Sequence, residues 1–289
     1  MTARISGIDH IGIAAADMQK NDACYRKLGF NLTKPYPLLA LDSENNLTEL
    51  GQHSHHFIFD RSYVELTGIV DPSKGSHIGP FLDKFEGLHI LCFNTDNADL
   101  AASQIQQMGL EVGKIQIASR HVNYGRKGIA RFKWFTIAHR YAPEGLICIV
   151  EHLTPEVVFQ ENMMSHDNFS TSLQEVTICT KEVNQCCKNY SNILSLDPKP
   201  HSLGYKFELP YNNLIILDND SYKTRYPSET PPAVPCLASF AIAVSDITET
   251  KEFLNNRYIE LNYRNPNNFW VPSKSAGGTI IEFCGSEQI

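Results

Sequence analysis

Hydrophobic and polar positions along this chain recur with a period of about 60 to 80 residues. Each period reads as a short apolar strand, an amphipathic helix of about three turns and up to three more strand-like runs, and there are four periods. In the first, Ile8 to Ala14 reads as strand, Asp17 is placed to cap a helix, and Met18, Tyr25 and Leu28 share one face before Gly29. Strands are predicted at 30–33, 55–59 and 62–69. The second has a strand from Leu88 to Phe93, a helix from about Asp96 with Ala101, Ile105 and Met108 on one face, and strands at 110–117, 130–138 and 146–152. The third opens at Leu173 to Thr180, spaces Val183, Cys187, Tyr190 and Leu194 as a buried helical stripe, and closes with short strands at 205–209 and 213–217. The fourth runs from Leu237 to Val244, through a helix capped near Asp246, to strands at 259–263, 268–271 and 279–283.

Each period is thus a βαβββ module. One helix covers only one face of a small sheet, so modules must pair to bury a common core, and four modules make two domains. The predicted fold is α+β, with a domain at 1–160 (modules 5–70 and 86–153) and a second at 171–289 (modules 172–218 and 236–285). The polar stretch 162–172 reads as a linker. The stretch Asp218 to Pro235, with Pro227, Pro231, Pro232 and Pro235, reads as an extended crossing, because proline resists helix.

Composition narrows the class. With 289 residues, 42% apolar and 20% charged, the chain is an ordinary globular protein, not a disordered, collagen-like or coiled-coil one. No apolar run reaches the 18 or so residues that span a bilayer, and Asp9 interrupts the segment where a secretory signal needs to be apolar, so a cytoplasmic protein is expected. A net charge of −7 without any Lys/Arg block argues against nucleic acid as a partner. The eight cysteines sit mostly among apolar neighbours, as small buried hydrophobes in a reducing compartment do; the adjacent Cys186 and Cys187 lack a second pair at zinc-finger spacing.

Candidate chemistry comes from comparing the modules. The first strand and the last strand offer one residue each at matched positions: His10 (IDHIGI) and Glu65 (YVELTG), then His89 (GLHILC) and Glu151 (CIVEHL). A lone strand histidine usually finds a backbone partner, and a lone glutamate in an alternating strand usually faces water. Both types recurring in the same order in two modules place four polar groups at equivalent inward points, where an unpaired carboxylate costs several kcal/mol. One divalent metal would satisfy all four.

On these residues the chain resembles the vicinal oxygen chelate superfamily, to which glyoxalase I belongs, through IDHIGIAAADMQKNDACYRKLGFNLT. More narrowly, GQHSHHFIFDRSYVELTGIVDP, GLHILCFNTDNADLAASQIQQMGLEVG and the tract Ala118 to Trp134 resemble its glyoxalase-like domain group, over about residues 5 to 160. The resemblance implies modules paired into cupped, mostly antiparallel eight-stranded sheets, with His10, Glu65, His89 and Glu151 holding one zinc, nickel, manganese, cobalt or iron ion. The implied reaction is that of a metal-dependent lyase or isomerase: two vicinal substrate oxygens bind the metal, and a ligand carboxylate, Glu151 first and Glu65 second, removes the adjacent proton. If Glu65 turns outward, His10, His89 and Glu151 form the two-His, one-carboxylate triad of an Fe(II) dioxygenase. A metal-free binding or resistance protein using the same cup is the third reading.

Smaller expectations concern a small-molecule substrate. Alternate members of the cluster from His53 to His56, with His53 and His55 favoured, would face the cup; Arg120 and Arg131 would meet a carboxylate; Trp134 would line a wall. His152, next to Glu151, would point the other way. In the C-terminal half Glu175, Ile216 and Phe240 stand at three of the four matched positions and only Glu282 remains, so this half is expected to be structural or gating. Neither a nucleic acid nor a membrane is expected as a partner, and the chain is expected to be a monomer or homodimer.

Overall fold

The computed structural model describes residues 3–41 and 47–285. In chain order the first half comprises β1 (Ile5–Ala15), α1 (Met18–Lys27), β2 (Tyr36–Leu41), β3 (Leu47–Ile58), β4 (Tyr63–Ile69), α2 (Gly79–Leu82), β5 (Gly87–Thr95), α3 (Ala98–Gln107), β6 (Gln116–Val122), β7 (Gly128–Thr136), β8 (Leu146–His152) and α4 (Pro155–Val158). The second comprises β9 (Ser170–Cys179), α5 (Val183–Leu194), β10 (Lys199–His201), β11 (Gly204–Glu208), β12 (Asn213–Leu217), α6 (Asn219–Arg225), β13 (Cys236–Val244), α7 (Ile247–Asn255), β14 (Asn262–Asn265), β15 (Asn268–Val271) and β16 (Ile280–Gly285). Among the described residues no helix is long and apolar enough to cross a membrane.

These strands form two eight-stranded sheets, ordered β2-β3-β4-β1-β5-β8-β7-β6 and β10-β11-β12-β9-β13-β16-β15-β14. In each, two βαβββ modules lie side by side. Their first strands pair antiparallel at the centre, and each first strand pairs in parallel with the last strand of its own module. The α+β fold with paired modules is therefore the one read from the sequence.

Local signals fix the helices. Asp17 caps α1 by accepting from the backbone N–H groups of Gln19 and Lys20, and Asp246 caps α7 in the same way. Gly29, with φ of 89°, ends the turn after α1, a conformation that favours glycine. Their apolar stripes cover one face of each sheet, and that layer runs without a break through both halves: Tyr25, Phe30, Phe93, Tyr190, Phe207 and Phe283 belong to one cluster. Polar contacts join the halves too. Tyr25 Oη donates to the Ala276 carbonyl at 3.0 Å, and the Asn212 side chain holds both the N–H (2.7 Å) and the carbonyl (3.0 Å) of Ile8.

Two stretches differ from the sequence expectation. The segment read as a linker buries His166 and Asn168, because their side chains bond to the backbone at Asn31, Ile58 and Leu28. The crossing between modules three and four begins as helix α6: Asp218 caps it, and every proline of the stretch lies beyond its end. In the first module the strand expected at 30–33 is absent, and β2 begins at Tyr36; in the second, the strand expected at 110–117 lies at Gln116–Val122.

Candidate functional site

The face of the first sheet turned away from α1 and α3 encloses a cavity of about 500 Å³. Tyr36, Tyr63, Phe81, Phe132 and Trp134 supply aromatic walls, and His10, Gln52, His56, Glu65, His77 and Arg120 supply polar groups. Cys92 and Cys148, directly paired across β5 and β8, also line it. A concave apolar site with a few convergent polar groups is the usual form of a small-molecule site.

On β1, a bulge between Ile8 and His10 lets Ile8 and Ile11 enter the helix-side core while His10 faces the cavity. The His10 ring stacks on Tyr63 with centroids 4.5 Å apart, and its Nδ1 lies 2.7 Å from Asp9 Oδ1. Asp9 is buried, and its second oxygen lies 2.9 Å from His152 Nε2. Burial alone would raise this carboxyl, but the His152 and His10 imidazoles outweigh it and hold Asp9 well below the usual carboxylate range. An ionised Asp9 only accepts, so His10 presents Nδ1–H to it. A neutral His10 then keeps its free lone pair on Nε2, the tautomer a general base needs.

Arg120, on β6, brings the cavity a fixed cation. Its Nη1 donates to Tyr36 Oη at 3.3 Å and to His56 Nδ1 at 3.1 Å. Because a guanidinium only donates, His56 must carry its proton on Nε2, which lies 3.3 Å from the same Tyr36 oxygen. Burial, followed by the charge of Arg120, pushes the His56 pKa well down and keeps the ring neutral. Burial also pushes the Tyr36 phenol up, to about 12, with Arg120 opposing. Arg120 Nη2 is buried without a hydrogen-bond partner among the described residues.

Of the residues singled out from sequence, His10, Glu65, Arg120 and Trp134 line the cavity. His89 does not. Its Nε2 donates to the Phe85 carbonyl at 2.8 Å, and its ring stacks on Phe85 and Phe81. The cause is a one-residue offset: α3 is capped by Asn97, not Asp96, so Ile90 is the counterpart of His10 and His89 the counterpart of Asp9. The pairings His10↔Cys92 and Gly12↔Ile90 show the same relation. A slip of one residue moves a strand side chain to the opposite face. Glu151 likewise faces the helices, where Oε2 accepts from the Ala98 N–H at 2.9 Å, while His152 takes the cavity side beside Phe132. The residue of β8 in register with Glu65 is Cys148.

His53 is not among the lining residues, and His55 packs beneath the sheet with Nδ1 3.3 Å from Asp22. The member of the cluster that faces the cavity is His56, in register with Glu65. Arg131 is exposed on the far face of β7. Asp9, Tyr36 and Tyr63 were not singled out as site residues, His56 only as one member of the histidine cluster, and His152 only as pointing away from Glu151, which it does; the one further signal available was Asp9, an acid beside His10 in a mostly apolar strand.

The four donors expected to hold a metal therefore do not converge: two face the cavity and two do not. The donors that do converge are Asp9, His10 and Cys92, whose ligand atoms lie within 4.8 Å of one another. As arranged, they fit a divalent ion poorly. Asp9 already serves two imidazoles, burial and the neighbouring Cys148 hold the Cys92 thiol protonated, and Arg120 adds positive charge to the same cavity.

The second sheet shows how its equivalent position is filled. Glu175 stands where His10 stands in the first sheet and Glu282 where Cys148 stands, with Ile215 rather than Ile216 in the place of Glu65 and Ser239 rather than Phe240 in the place of Ile90. Arg225 of α6 lies between the carboxylates, bonded to Glu175 and, at 2.9 Å, to Glu282. Arg264 Nη1 and Tyr226 Oη add bonds to Glu282 of 2.8 and 3.0 Å.

Comparison with known proteins agrees with this architecture. Residues 8–194 match the sequence pattern of a family described as a glyoxalase-like domain. No curated protein matches the chain. A hypothetical protein from Staphylococcus aureus aligns with a TM-score of 0.65 at 12% identity, covering 99% of this chain and 100% of its own. A variant of 4-hydroxymandelate synthase from Streptomyces coelicolor aligns at 0.62 and 10% identity, covering 98% and 93%. An Mn(II)-bound glyoxalase from Novosphingobium aromaticivorans aligns at 0.57 and 11%, covering 98% and 83%. At such identities the likeness is one of fold.

Proposed function

The chain belongs to the glyoxalase-like domain family, and from that premise we propose that its N-terminal cup binds a small aromatic carboxylate, with the anion on Arg120 and His10 acting on a proton of the bound molecule. The observation that carries this reading is the buried Nη2 of Arg120, without a hydrogen-bond partner among the described residues, in an aromatic-walled cavity. An unmet buried donor on a cation costs more than a neutral one, and a carboxylate is the group that satisfies a guanidinium fork. Ring faces of Phe132 and Trp134 suit an aromatic body, and about 500 Å³ is ample for a single-ring compound. Enzymes of this superfamily commonly use a divalent metal, but His10, Glu65, His89 and Glu151 do not assemble around a common point in this cup.

Titration calorimetry with 4-hydroxymandelate and phenylacetate tests the reading. Binding should weaken about 10- to 100-fold in Arg120→Ala, the effect of one charge-assisted hydrogen bond, and should survive Arg131→Ala. Absence of binding to either compound, or equal affinity in Arg120→Ala, overturns it. A second reading has its own observation, the Asp9, His10 and Cys92 cluster: a divalent ion held there, opening a metal-dependent reaction. Its mark is stoichiometric uptake of manganese or zinc by chelator-treated protein that is lost in Cys92→Ser.

A further inference from the structure

Resting on the reading of an Arg120-anchored carboxylate, we propose that the ligand of this cup is an aromatic α-amino acid, with its carboxylate on Arg120 and its ammonium on Glu65. The second half of that assignment comes from Glu65 itself. The side chain faces the cavity from β4 and is half-buried, and among the described residues its carboxylate makes neither a hydrogen bond nor an ion pair. No lysine is among the described residues lining the cavity, and Arg120 is the one arginine there. Nor does Glu65 belong to the Asp9, His10 and Cys92 cluster. A carboxylate in an aromatic-walled cup is costly without a counter-charge, and a cation carried by the ligand offsets that cost.

The two charges are gathered about one histidine. Arg120 Nη1 donates to His56 Nδ1 at 3.1 Å, and His56 is the residue of β3 directly opposite Glu65. Arg120 is nevertheless kept from pairing with Glu65. The same Nη1 donates to Tyr36 Oη at 3.3 Å, and the guanidinium carbon lies 5.5, 5.9 and 5.8 Å from the ring centres of Tyr36, Tyr63 and Phe132. Swinging the guanidinium to Glu65 would break both bonds and leave these rings. Nη2 therefore stays buried without a partner among the described residues, near a carboxylate that also has none. A ligand that satisfies both groups carries its anion and its cation close together, as an α-amino acid does, and its ring remains for the aromatic walls.

The same pair of charges works against either half of that ligand. A simple carboxylate seated on Arg120 lies near the uncompensated charge of Glu65, and a simple amine seated on Glu65 lies near that of Arg120. Like charges at close quarters oppose each partial ligand, so the cup selects the zwitterion by repulsion as well as by attraction.

The test measures phenylalanine, as either enantiomer, beside phenylacetate and phenethylamine, by titration calorimetry on the full-length protein treated with chelator and checked for metal by elemental analysis. Wild-type protein should bind phenylalanine at least about 10-fold more tightly than either partial ligand. Glu65→Gln should weaken phenylalanine about 10- to 100-fold, the effect of one charge-assisted hydrogen bond, while phenylacetate binds as well or better. Arg120→Ala should weaken phenylalanine to a similar extent and leave phenethylamine no weaker. An unchanged melting temperature in Glu65→Gln checks folding, and retained phenylacetate binding checks it again. If phenylacetate binds through Arg120 but phenylalanine binds no more tightly, or keeps its affinity in Glu65→Gln, or binds only after metal is restored, the amino-acid assignment is overturned and the carboxylate reading stands. If neither acid binds, both fall.

Discussion

A carboxylate buried between two imidazoles orients both rings. Asp9 keeps its charge because His10 and His152 reach one oxygen each, and they in turn have their N–H groups directed towards it. Replacing it with a neutral isostere leaves two buried rings without that counter-charge. Asp9→Asn is expected to cost about 3 to 5 kcal/mol of stability, the range for breaking a buried ion pair, measured by urea unfolding. Phe132, which lines the cavity and packs edge-on against His152 of the neighbouring strand, gives a control: Phe132→Leu should change ligand affinity while costing less stability than Asp9→Asn.

At the scale of elements, Glu151 is the most instructive side chain. It ends a strand and caps a helix, accepting from Ala98 at the positive end of α3. Glu151→Ala is therefore expected to lower unfolding free energy by about 1 kcal/mol, as lost caps do, while leaving phenylacetate affinity within about twofold. A large loss of affinity would mean that this carboxylate reaches the ligand. The strands themselves were largely legible in the sequence. Leu146–His152, Asn213–Leu217 and Asn268–Val271 lie where short apolar runs put them, because strands buried on both faces read as continuous apolar stretches. Facing was not legible at His89 and Glu151. Choosing between Asp96 and Asn97 as the cap of α3 moves the alignment by one residue, and both residues are good caps. Four matched ligands thus became two in the cavity and two outside it. The histidine cluster failed in a related way: alternation was recognised, but which alternate set faces inward depends on pairing with β4, and only His56 is opposite Glu65.

Across the whole molecule, two buried histidines tie stability to pH. Burial pushes the His55 and His166 pKa values down to about 4 from an ordinary 6.5, with Asp22 partly opposing at His55 and the Ile58 carbonyl at His166. Between those pH values the unfolded chain binds more protons than the folded one, so stability falls as pH falls from about 6.5 to 4 and is insensitive to these groups above 6.5. The full effect is at most roughly 3 kcal/mol per histidine, from about 1.4 kcal/mol per pKa unit. Melting temperatures recorded from pH 7.5 to 4.5 should show that decline, and His166→Gln should flatten it; a flat wild-type profile would remove these rings as the cause. His166 sits at the junction between the halves, within a core that both share. Calorimetry is accordingly expected to give one cooperative transition rather than two, since neither half keeps its buried layer without the other.

The repeat of one βαβββ unit, the pairing of units into two sheets and the presence of a histidine and a glutamate in the first cup followed from the sequence alone. Those features depend on local periodicity and on the need of each module to cover an apolar face, and both are written in residue order. The partners of those residues were decided by tertiary structure. Arg120 meets Tyr36 and His56 only because β6 closes one edge of the sheet opposite β2, and Arg225 fills the second cup only because α6 folds back between Glu175 and Glu282. Such contacts join strands far apart in the chain, and their register rests on cap choice and strand bulges that a pattern of apolar positions leaves open by one residue, enough to exchange the two faces of a strand.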